Sequence, residues 1–333
     1  MELTALWFGI IAFLWVGYLV LEGFDFGVGI LLPVLGRDEA ERDAVLDTIG
    51  PVWDGNEVWL IVAGGAMFAA FPEWYATMFS GFYLPLFVIL VALILRAVAL
   101  EYRGKHDDPR WRRRWELCIV YGSVVPAVLW GVALANIVHG LPISADHEYA
   151  GDMGDLLNPY ALLGGLTTLM LFVTHGAIFI ALKTTGELRC RANRLGIRVG
   201  IGAVLVAGGF LAWTAIDDGS VPAVALAVGS ASTLVLGLVA ATLGRDGWAF
   251  AGTALTVGLA VVLLYVALFP DVMPSTLDAA WSLTKDNAAS TPYTLEIMSW
   301  AALCFLPIVM LYQGWSYWAF RKRIAVRPPA LSG

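Results

Sequence analysis

The chain is dominated by apolar segments long enough to cross a membrane. A transmembrane helix needs about 20 apolar residues, and nine segments come close to or exceed that length: 3–24, 51–71, 74–100, 116–139, 157–182, 197–216, 221–243, 248–270 and 293–320. Of the 333 residues, 59% are hydrophobic and only 14% are charged, whereas a soluble domain has about 25% charged residues. The sequence therefore predicts an all-α, polytopic integral membrane protein with nine transmembrane helices.

The loops between these segments predict the orientation. With the N-terminus outside, all but two of the 20 Lys and Arg residues fall in inner loops or the inner C-terminal tail, including Arg327. The exceptions are Lys285, in an outer loop, and Arg96, inside the third segment. Because cytoplasmic loops are enriched in Lys and Arg, we expect the C-terminus in the cytoplasm.

We expect one transmembrane domain over residues 1–333. Its predicted parts are helices 1–4 within 1–139, helices 5–8 within 157–270, and a peripheral ninth helix at 293–320, which suits two four-helix bundles plus one helix. The outer loops, 140–158 and 270–292, are acidic and broken by Gly and Pro. They lack the periodicity of a second module and are predicted to be modest caps.

Carboxylates are concentrated in the cytoplasmic half of the first three predicted helices. They come late in the first, early in the second and late in the third: Glu22, Asp25, Asp54, Glu57 and Glu101. Each costs about 2.5 to 3.5 kcal/mol at full depth in a membrane, so a group of them predicts a function. Protons move through chains of carboxylates and water, and burial favours the protonated form of an acid. The pattern predicts a proton path open to the cytoplasm, with some acids protonated at rest.

Two structural readings of the same acids stay open. They could form a polar seam that joins the first three helices, although Ser, Thr or Asn would serve that purpose without titrating. Asp54 and Glu57 could instead lie at the headgroup level in water, because polar side chains near helix ends reach outward. Arg96 is interpreted as the counter-ion of Glu101.

Other cofactor and ligand classes find little support in the sequence. Haem needs His, Met, Cys or Tyr ligands, and of the four histidines only His175 lies deep in a predicted helix, where a hydrogen-bonded packing role is favoured over ligation. Three dispersed cysteines form no CxxC pair, so no metal site is expected. The basic residues are confined to short loops and predict no nucleic-acid partner.

Several long motifs resemble subunit II of the cytochrome bd-type quinol oxidases. They are EGFDFGVG at 22–29, PVWDGNEVWLI at 51–61 with AGGA at 63–66, FSGFY at 79–83, and Arg96 followed by EYR at 101–103. The predicted nine-helix layout extends the resemblance to the whole chain, although the C-terminal half resembles the family mainly in layout.

The resemblance implies a heterodimer in the bacterial plasma (inner) membrane. The homologous subunit I would carry the quinol site and haems b558, b595 and d, and this chain would bind none. Part of the cytoplasmic proton path would run through Glu22, Asp54 and Glu101, and more loosely through Asp25 and Glu57. The third-helix acid is often Asp in the family, so Glu101 departs by one methylene. An oxygen-access route would begin near Trp59.

The resemblance leaves other partners open, including small accessory subunits and the structural quinone that some relatives keep in this subunit. Quinol and O2 would be the substrates of the complex. A proton-coupled secondary transporter is the alternative function, since it also uses buried acids. Transporters favour repeats and interrupted helices near mid-membrane, whereas these acids are off-centre and in one half. A scaffold whose partner does all the chemistry is a third possibility.

Overall fold

The computed structural model describes residues 2–326 as a bundle of long helices with a small cap. The α-helices are α1 (Leu3–Leu35), α2 (Glu39–Asp47), α3 (Trp53–Ala70), α4 (Pro72–Gly81), α5 (Tyr83–Tyr102), α6 (Pro109–His139), α7 (Pro159–Lys183), α8 (Gly186–Asp218), α9 (Val221–Thr242), α10 (Asp246–Leu268) and α11 (Pro292–Ala319). Short 3-10 turns occupy Arg103–Lys105, Asp155–Leu157 and Ala279–Trp281. The fold is that of an all-α polytopic membrane protein, as the sequence predicts.

Eight of the helices in the described part are long and apolar enough to cross a membrane by length and composition. The expected second span, α3, is not among them, because its first two turns contain Asp54, Asn56 and Glu57. It nevertheless runs the length of the bundle: it starts near α2, and at its far end Ser290 N donates to Ala70 O (2.9 Å). Its polar start marks the functional part of the molecule.

The two ends of the bundle differ in charge. One end, called the basic end here, holds ion pairs such as Arg37–Glu187 (3.0 Å) and Arg189–Asp246 (2.8 Å). At the opposite end, called the acidic end, Lys285 binds Glu2 (2.9 Å). Within residues 2–326, nine helices run from one of these ends to the other: α1, α3, and α5 to α11. By the positive-inside rule we expect the basic end in the cytoplasm.

Several predicted boundaries are wrong. The fourth and sixth spans begin before 116 and 197, because α6 starts at Pro109 and α8 at Gly186. The first span does not end at 24, because the turns that follow Asp25 are buried and α1 continues to Leu35 despite Pro33. Glu22 and Asp25 therefore lie inside a helix rather than near its end. The third span does not begin at 74: the chain turns at Phe82, and α5 starts at Tyr83.

Helix α1 lies at the centre of the bundle and packs on α3, α6, α7 and α10. Gly27 allows the approach of α7, since a Cβ there would lie 2.0 Å from Phe172 O and 2.8 Å from Gly176 Cα. Small residues let helix backbones meet closely in membranes. Gly23 and Gly27, which have GxxxG spacing, thus serve helix packing.

The cap at the acidic end contains a small antiparallel pair of strands, β1 (Asp271–Met273) and β2 (Leu283–Thr284). Leu141 N also donates to Pro274 O (3.0 Å), which joins the two outer loops. At the basic end, Ile324 N donates to Lys183 O (2.7 Å) and ties down the segment after α11. Arg327, counted above among the inner basic residues, lies outside the described residues.

Candidate functional site: a buried carboxylate cluster

Two carboxylates of α1 form the centre of the site. Glu22 and Asp25 are three residues apart, so they share one helix face, and both side chains are completely buried. Glu22 Oε1 accepts a hydrogen bond from Nη1 of Arg96 on α5. Arg96 is also completely buried, and its guanidinium lies 4.9 Å from the centre of the Phe26 ring. The positive charge is thus held between an acid and an aromatic face.

Helix α3 adds a third carboxylate. Arg96 Nη1 also donates to Glu57 Oε1 (3.1 Å), so one guanidinium bridges acids from two helices. Asn56, the preceding residue, is fully buried, and its Nδ2 donates to Asp25 Oδ2 (2.7 Å). The first two turns of α3 and the middle of α1 therefore meet through charge-assisted hydrogen bonds, which are stronger than neutral ones.

The cluster is completed by α11, which the sequence analysis did not connect with it. Gln313 Nε2 (3.0 Å) and the Tyr317 hydroxyl (2.8 Å) both donate to Asn56 Oδ1. Two polar side chains four residues apart on one face of an apolar helix were the available signal. Their partner could not be inferred, because it lies more than 250 positions away in sequence.

Several polar atoms of the cluster have no hydrogen-bond partner in the protein. They are Glu22 Oε2, Asp25 Oδ1, and Nε and Nη2 of Arg96, all buried. Buried polar atoms are nearly always satisfied, and those that lack protein partners bind internal water. Three carboxyl groups also surround a single guanidinium. The cluster is therefore suited to hold more protons and more water molecules than a simple ion pair would.

Two predicted site residues lie outside this buried set. Asp54 and Glu101 are exposed on the isolated chain. The expected pairing of Arg96 with Glu101 is wrong: Arg96 binds Glu22 and Glu57 instead. Five positions along a helix correspond to a rotation of about 140° beyond a full turn, so the two side chains of α5 point in different directions.

A polar cleft of about 860 Å³ opens at the basic end. It is lined by α2, by Leu100 and Gly104 next to Glu101, and by the segment after α11; its charged residues are Glu39, Asp43, Asp47, Arg103 and Arg112. Arg103 binds Glu39 and Asp43 across it (both 2.5 Å). The cleft brings charged groups within about a turn of the α5 segment that carries Arg96.

Trp59 is buried on the same face of α3 as Asn56, about one turn further along. A Cβ on Gly17 would lie 2.2 Å from its ring, so only glycine leaves room for it there. Its ring also meets the edge of Phe13 at 5.9 Å. Nearby, a Cβ on Gly64 or Gly65 would have no atom within 4 Å, and both glycines line an apolar groove of about 560 Å³.

His175, the deepest histidine in the sequence, is a packing residue. Its Nδ1 is 2.7 Å from Thr253 Oγ1, and its ring stacks on Phe250 at 4.7 Å and meets the edge of Phe24 at 5.6 Å. These aromatic contacts do not fit a haem beside it. Within residues 2–326, no three His, Cys, Asp or Glu side chains are grouped as a metal site would require.

Comparisons with known proteins agree on one family. Residues 3–320 match the family of cytochrome bd terminal oxidase subunit II. The chain is 42% identical to cytochrome bd ubiquinol oxidase subunit 2 of Bacillus subtilis, over 98% of both chains. It is 35% identical to cytochrome bd-I ubiquinol oxidase subunit 2 of Escherichia coli K12, over 97% of this chain and 95% of that one.

A solved structure shows the same fold. The bd oxidase structure from Geobacillus thermodenitrificans contains a chain that superposes with a TM-score of 0.78, covering 97% of this chain and all of that one, at 17% identity. The fold, the motifs around Glu22, Asp54 and Arg96, and the full-length relatives converge, and they do not favour the transporter alternative. The chain belongs to the cytochrome bd terminal oxidase subunit II family and is a multi-pass subunit of a bacterial plasma-membrane quinol oxidase.

Proposed function

We propose that this subunit carries protons from the cytoplasm to the oxygen-reducing partner through its buried carboxylate cluster. Protons would enter at the basic end by the polar cleft and Glu101, and reach Glu22, Asp25 and Glu57. Asp54, exposed at the start of α3, would connect the cluster with the surface of subunit I. A supply of protons from one side only would make oxygen reduction separate charge across the membrane.

The observation that supports this proposal most is that buried polar atoms of the cluster lack hydrogen-bond partners in the protein. A purely structural ion pair needs one acid for each base and satisfies its oxygens. Here two carboxyl groups, those of Glu22 and Glu57, share Arg96. A third, that of Asp25, is bonded by Asn56, and Glu22 Oε2 and Asp25 Oδ1 have no protein partner. Such atoms can take up protons or bind the waters that conduct them.

Haem chemistry belongs to the complex, and subunit I is its partner. We propose that haems b558, b595 and d are all held by subunit I, and that none is bound here. His175 supports this, because its ring is packed between aromatic side chains. Quinol and O2 would be the substrates of the complex, lipid would surround it, and small accessory subunits would be further partners.

We further propose that Trp59 borders an oxygen-access route. The next residue, Leu60, lines the apolar groove between α3 and α5, and O2, an apolar solute, favours such surfaces. The same groove has an apolar lining that suits the structural quinone kept by some relatives. It is lined by Gly64, Phe68, Tyr83 and Phe87 among others.

The experiment that tests the proton path is Glu22→Gln in the complex with subunit I. The amide keeps the shape of the side chain but cannot carry a proton as a carboxyl group does. We expect quinol-driven oxygen uptake to fall at least about tenfold, while the haem spectrum and the amount of assembled complex stay unchanged. If the cluster is only a polar seam, turnover per assembled complex will be retained and the yield of complex will fall.

A matched control is Glu73→Gln, an acid in the first turn of α4 that is exposed and outside the cluster. It should leave both oxygen uptake and assembly unchanged. Asp54→Asn and Glu101→Gln extend the test to the surface acids, and unchanged turnover in both would remove those two residues from the path.

A further inference from the structure

The amide of Asn56 joins the cluster to the outermost helix. Its Nδ2 faces Asp25 Oδ2 at 2.7 Å, and its Oδ1 receives both Gln313 Nε2 at 3.0 Å and the Tyr317 hydroxyl at 2.8 Å. All four side chains lie at the level of Asp25, and Asn56 itself is fully buried. The orientation of this one amide therefore decides whether Asp25 meets a donor or an acceptor.

Helix α11 is otherwise loosely attached. Of its described residues only Leu295, near the acidic end, is buried, and the Trp7 indole holds that end by donating to Leu295 O (3.1 Å) and Ser299 Oγ (3.0 Å). Toward the basic end, the polar contact is the pair of bonds to Asn56. A helix that only packed between the bundle and lipid would not need these two hydrogen-bond donors. Removing polar groups from water costs free energy, so their presence calls for another explanation.

The chemistry of the three partners permits two arrangements. With Asp25 ionised, Asn56 must donate to it, and Asn56 Oδ1 then accepts from Gln313 and Tyr317. With Asp25 protonated on Oδ2, the carboxyl group becomes a donor. Asn56 would then turn its oxygen toward Asp25 and donate to Gln313 Oε1 and the Tyr317 oxygen, both of which can accept.

We propose that Gln313 and Tyr317 are positioning residues that set the orientation of Asn56 and so switch the hydrogen bond offered to Asp25 as it gains and loses its proton. This inference rests on the proposed proton path. It gives α11 a role: the helix keeps Asn56 oriented as a hydrogen-bond donor to Asp25 until Asp25 takes up a proton. The proton itself stays on Asp25 Oδ2 and leaves from it, and only amide and hydroxyl orientations change on α3 and α11.

The charged and titratable groups around Asp25 are few. Glu22 lies on its own helix, Glu57 on α3, Arg96 on α5 and Tyr317 on α11. From α7, His175 reaches only the neighbouring Phe24, with its Nδ1 engaged by Thr253 of α10. A change at Gln313 or Tyr317 therefore acts on Asp25 through Asn56.

The test uses the purified complex with Tyr317→Phe, Gln313→Leu and the double variant. Each single change leaves one donor on Asn56, so the helix contact survives. We expect turnover to fall about two- to tenfold, the range that one hydrogen bond commands. We also expect the alkaline limb of the pH profile to move by about half a unit, together with the pH at which the infrared carboxylic-acid band of Asp25 disappears.

Tyr312→Phe is the matched control, because Tyr312 is exposed on the same helix and should change neither. In an Asn56→Ala background, Tyr317→Phe should have no further effect, since coupled residues are non-additive. A yield loss with an unchanged pH profile and infrared band would overturn the inference in favour of simple packing. If a variant fails to accumulate, ring-labelled tyrosine in the wild-type complex still decides: its phenol band must change with the Asp25 band.

The inference and the proton path can fail separately. If Asp25→Asn abolishes turnover but Gln313 and Tyr317 variants leave the pH profile unmoved, the path stands and the switch is wrong. If Asp25→Asn turns over at the wild-type rate, Asp25 is not in the path and both ideas fail at this residue.

Discussion

The start of α10 and the middle of α1 bury carboxylates in different ways. In the C-terminal half, Asp246 at the start of α10 is buried and saturated: Arg189 donates to both of its oxygens (2.8 and 3.1 Å), and Arg323 adds a third bond (2.7 Å). In the N-terminal half, Glu22 and Asp25 each keep one buried oxygen without a protein partner. A carboxylate used for structure is fully paired, whereas these two are left able to bind a proton.

Contacts between the C-terminal helices show which residues are sufficient to hold transmembrane helices together. Ser230 Oγ donates to Thr256 O (2.9 Å), Tyr160 and Thr214 share a hydrogen bond (2.7 Å), and Gly237 lies against Gly252. Hydroxyls and small residues join these helices, as is usual in membranes. The seam interpretation of the N-terminal acids is therefore weakened by the protein's own second half.

The largest expected effect in this comparison comes from Arg96→Met. The change removes the one base among three acids and leaves buried carboxylates without a counter-charge, which costs about 3 to 5 kcal/mol. We expect little assembled complex, measured as haem-bearing protein per membrane, and a large drop in its Tm. Arg96→Lys, which keeps the charge, should recover part of both; equal assembly of the Met variant would contradict the buried-charge account.

The junction of the two halves should be sensitive to a single methyl group. In Gly27→Ala the new Cβ meets the backbone of α7 at Phe172 and Gly176, and neither backbone can move without its helix. Overpacking of this kind costs about 1 to 3 kcal/mol, which thermal denaturation of the complex would detect. Gly9→Ala on the same helix, with no atom within 4 Å, should leave the Tm unchanged or slightly raised.

Ser230→Ala tests the interhelical hydrogen bonds of the C-terminal half. The loss of its bond to Thr256 O should cost about 0.6 kcal/mol, the average for interhelical hydrogen bonds in a membrane. Turnover per complex and its pH profile should stay as in the wild type. A lowered turnover at unchanged stability would mean that the C-terminal half also takes part in proton transfer.

The smallest effect is expected at the acidic end, outside the membrane. The Lys285 ammonium, which binds Asp286 (2.8 Å), holds the pKa of that carboxyl below its usual range, and the Thr4 hydroxyl adds to this. A depressed pKa stabilises the fold above the unfolded value of about 3.9, and this stabilisation is lost as pH falls through the folded value. Lys285→Met should therefore lower the Tm slightly at pH 7, and this effect should disappear at acid pH once the Asp286 carboxyl is protonated in the folded protein; an equal effect in both conditions would contradict the ion pair.

The sequence predicted the helices well, because apolar length and loop charge are local properties. Glu22 and Asp25 were also recognisable, since an acid inside an apolar segment is costly wherever it lies. Helix lengths were less accurate: α1 continues past Asp25 to Leu35 despite Pro33, because these turns are buried in the folded bundle. The extra residues place both acids in the interior of a helix.

Side-chain pairing could not be predicted to the same degree. Arg96 was assigned to Glu101 because the two are close in sequence, but it binds Glu22 and Glu57 from other helices. Gln313 and Tyr317 were missed for the same reason, since their partner Asn56 is brought to them only by the folded bundle. Such contacts depend on helix rotation, which a single sequence specifies weakly.

The most direct test of the central claim is proton uptake by the complex in liposomes, with a pH indicator on the side of the basic end and quinol-driven turnover as the trigger. The account predicts that the wild-type complex takes its protons from that side alone, and that Glu22→Gln slows this uptake in step with oxygen consumption, while the haem spectrum is unchanged. Uptake at the wild-type rate in a fully assembled Glu22→Gln complex would contradict it.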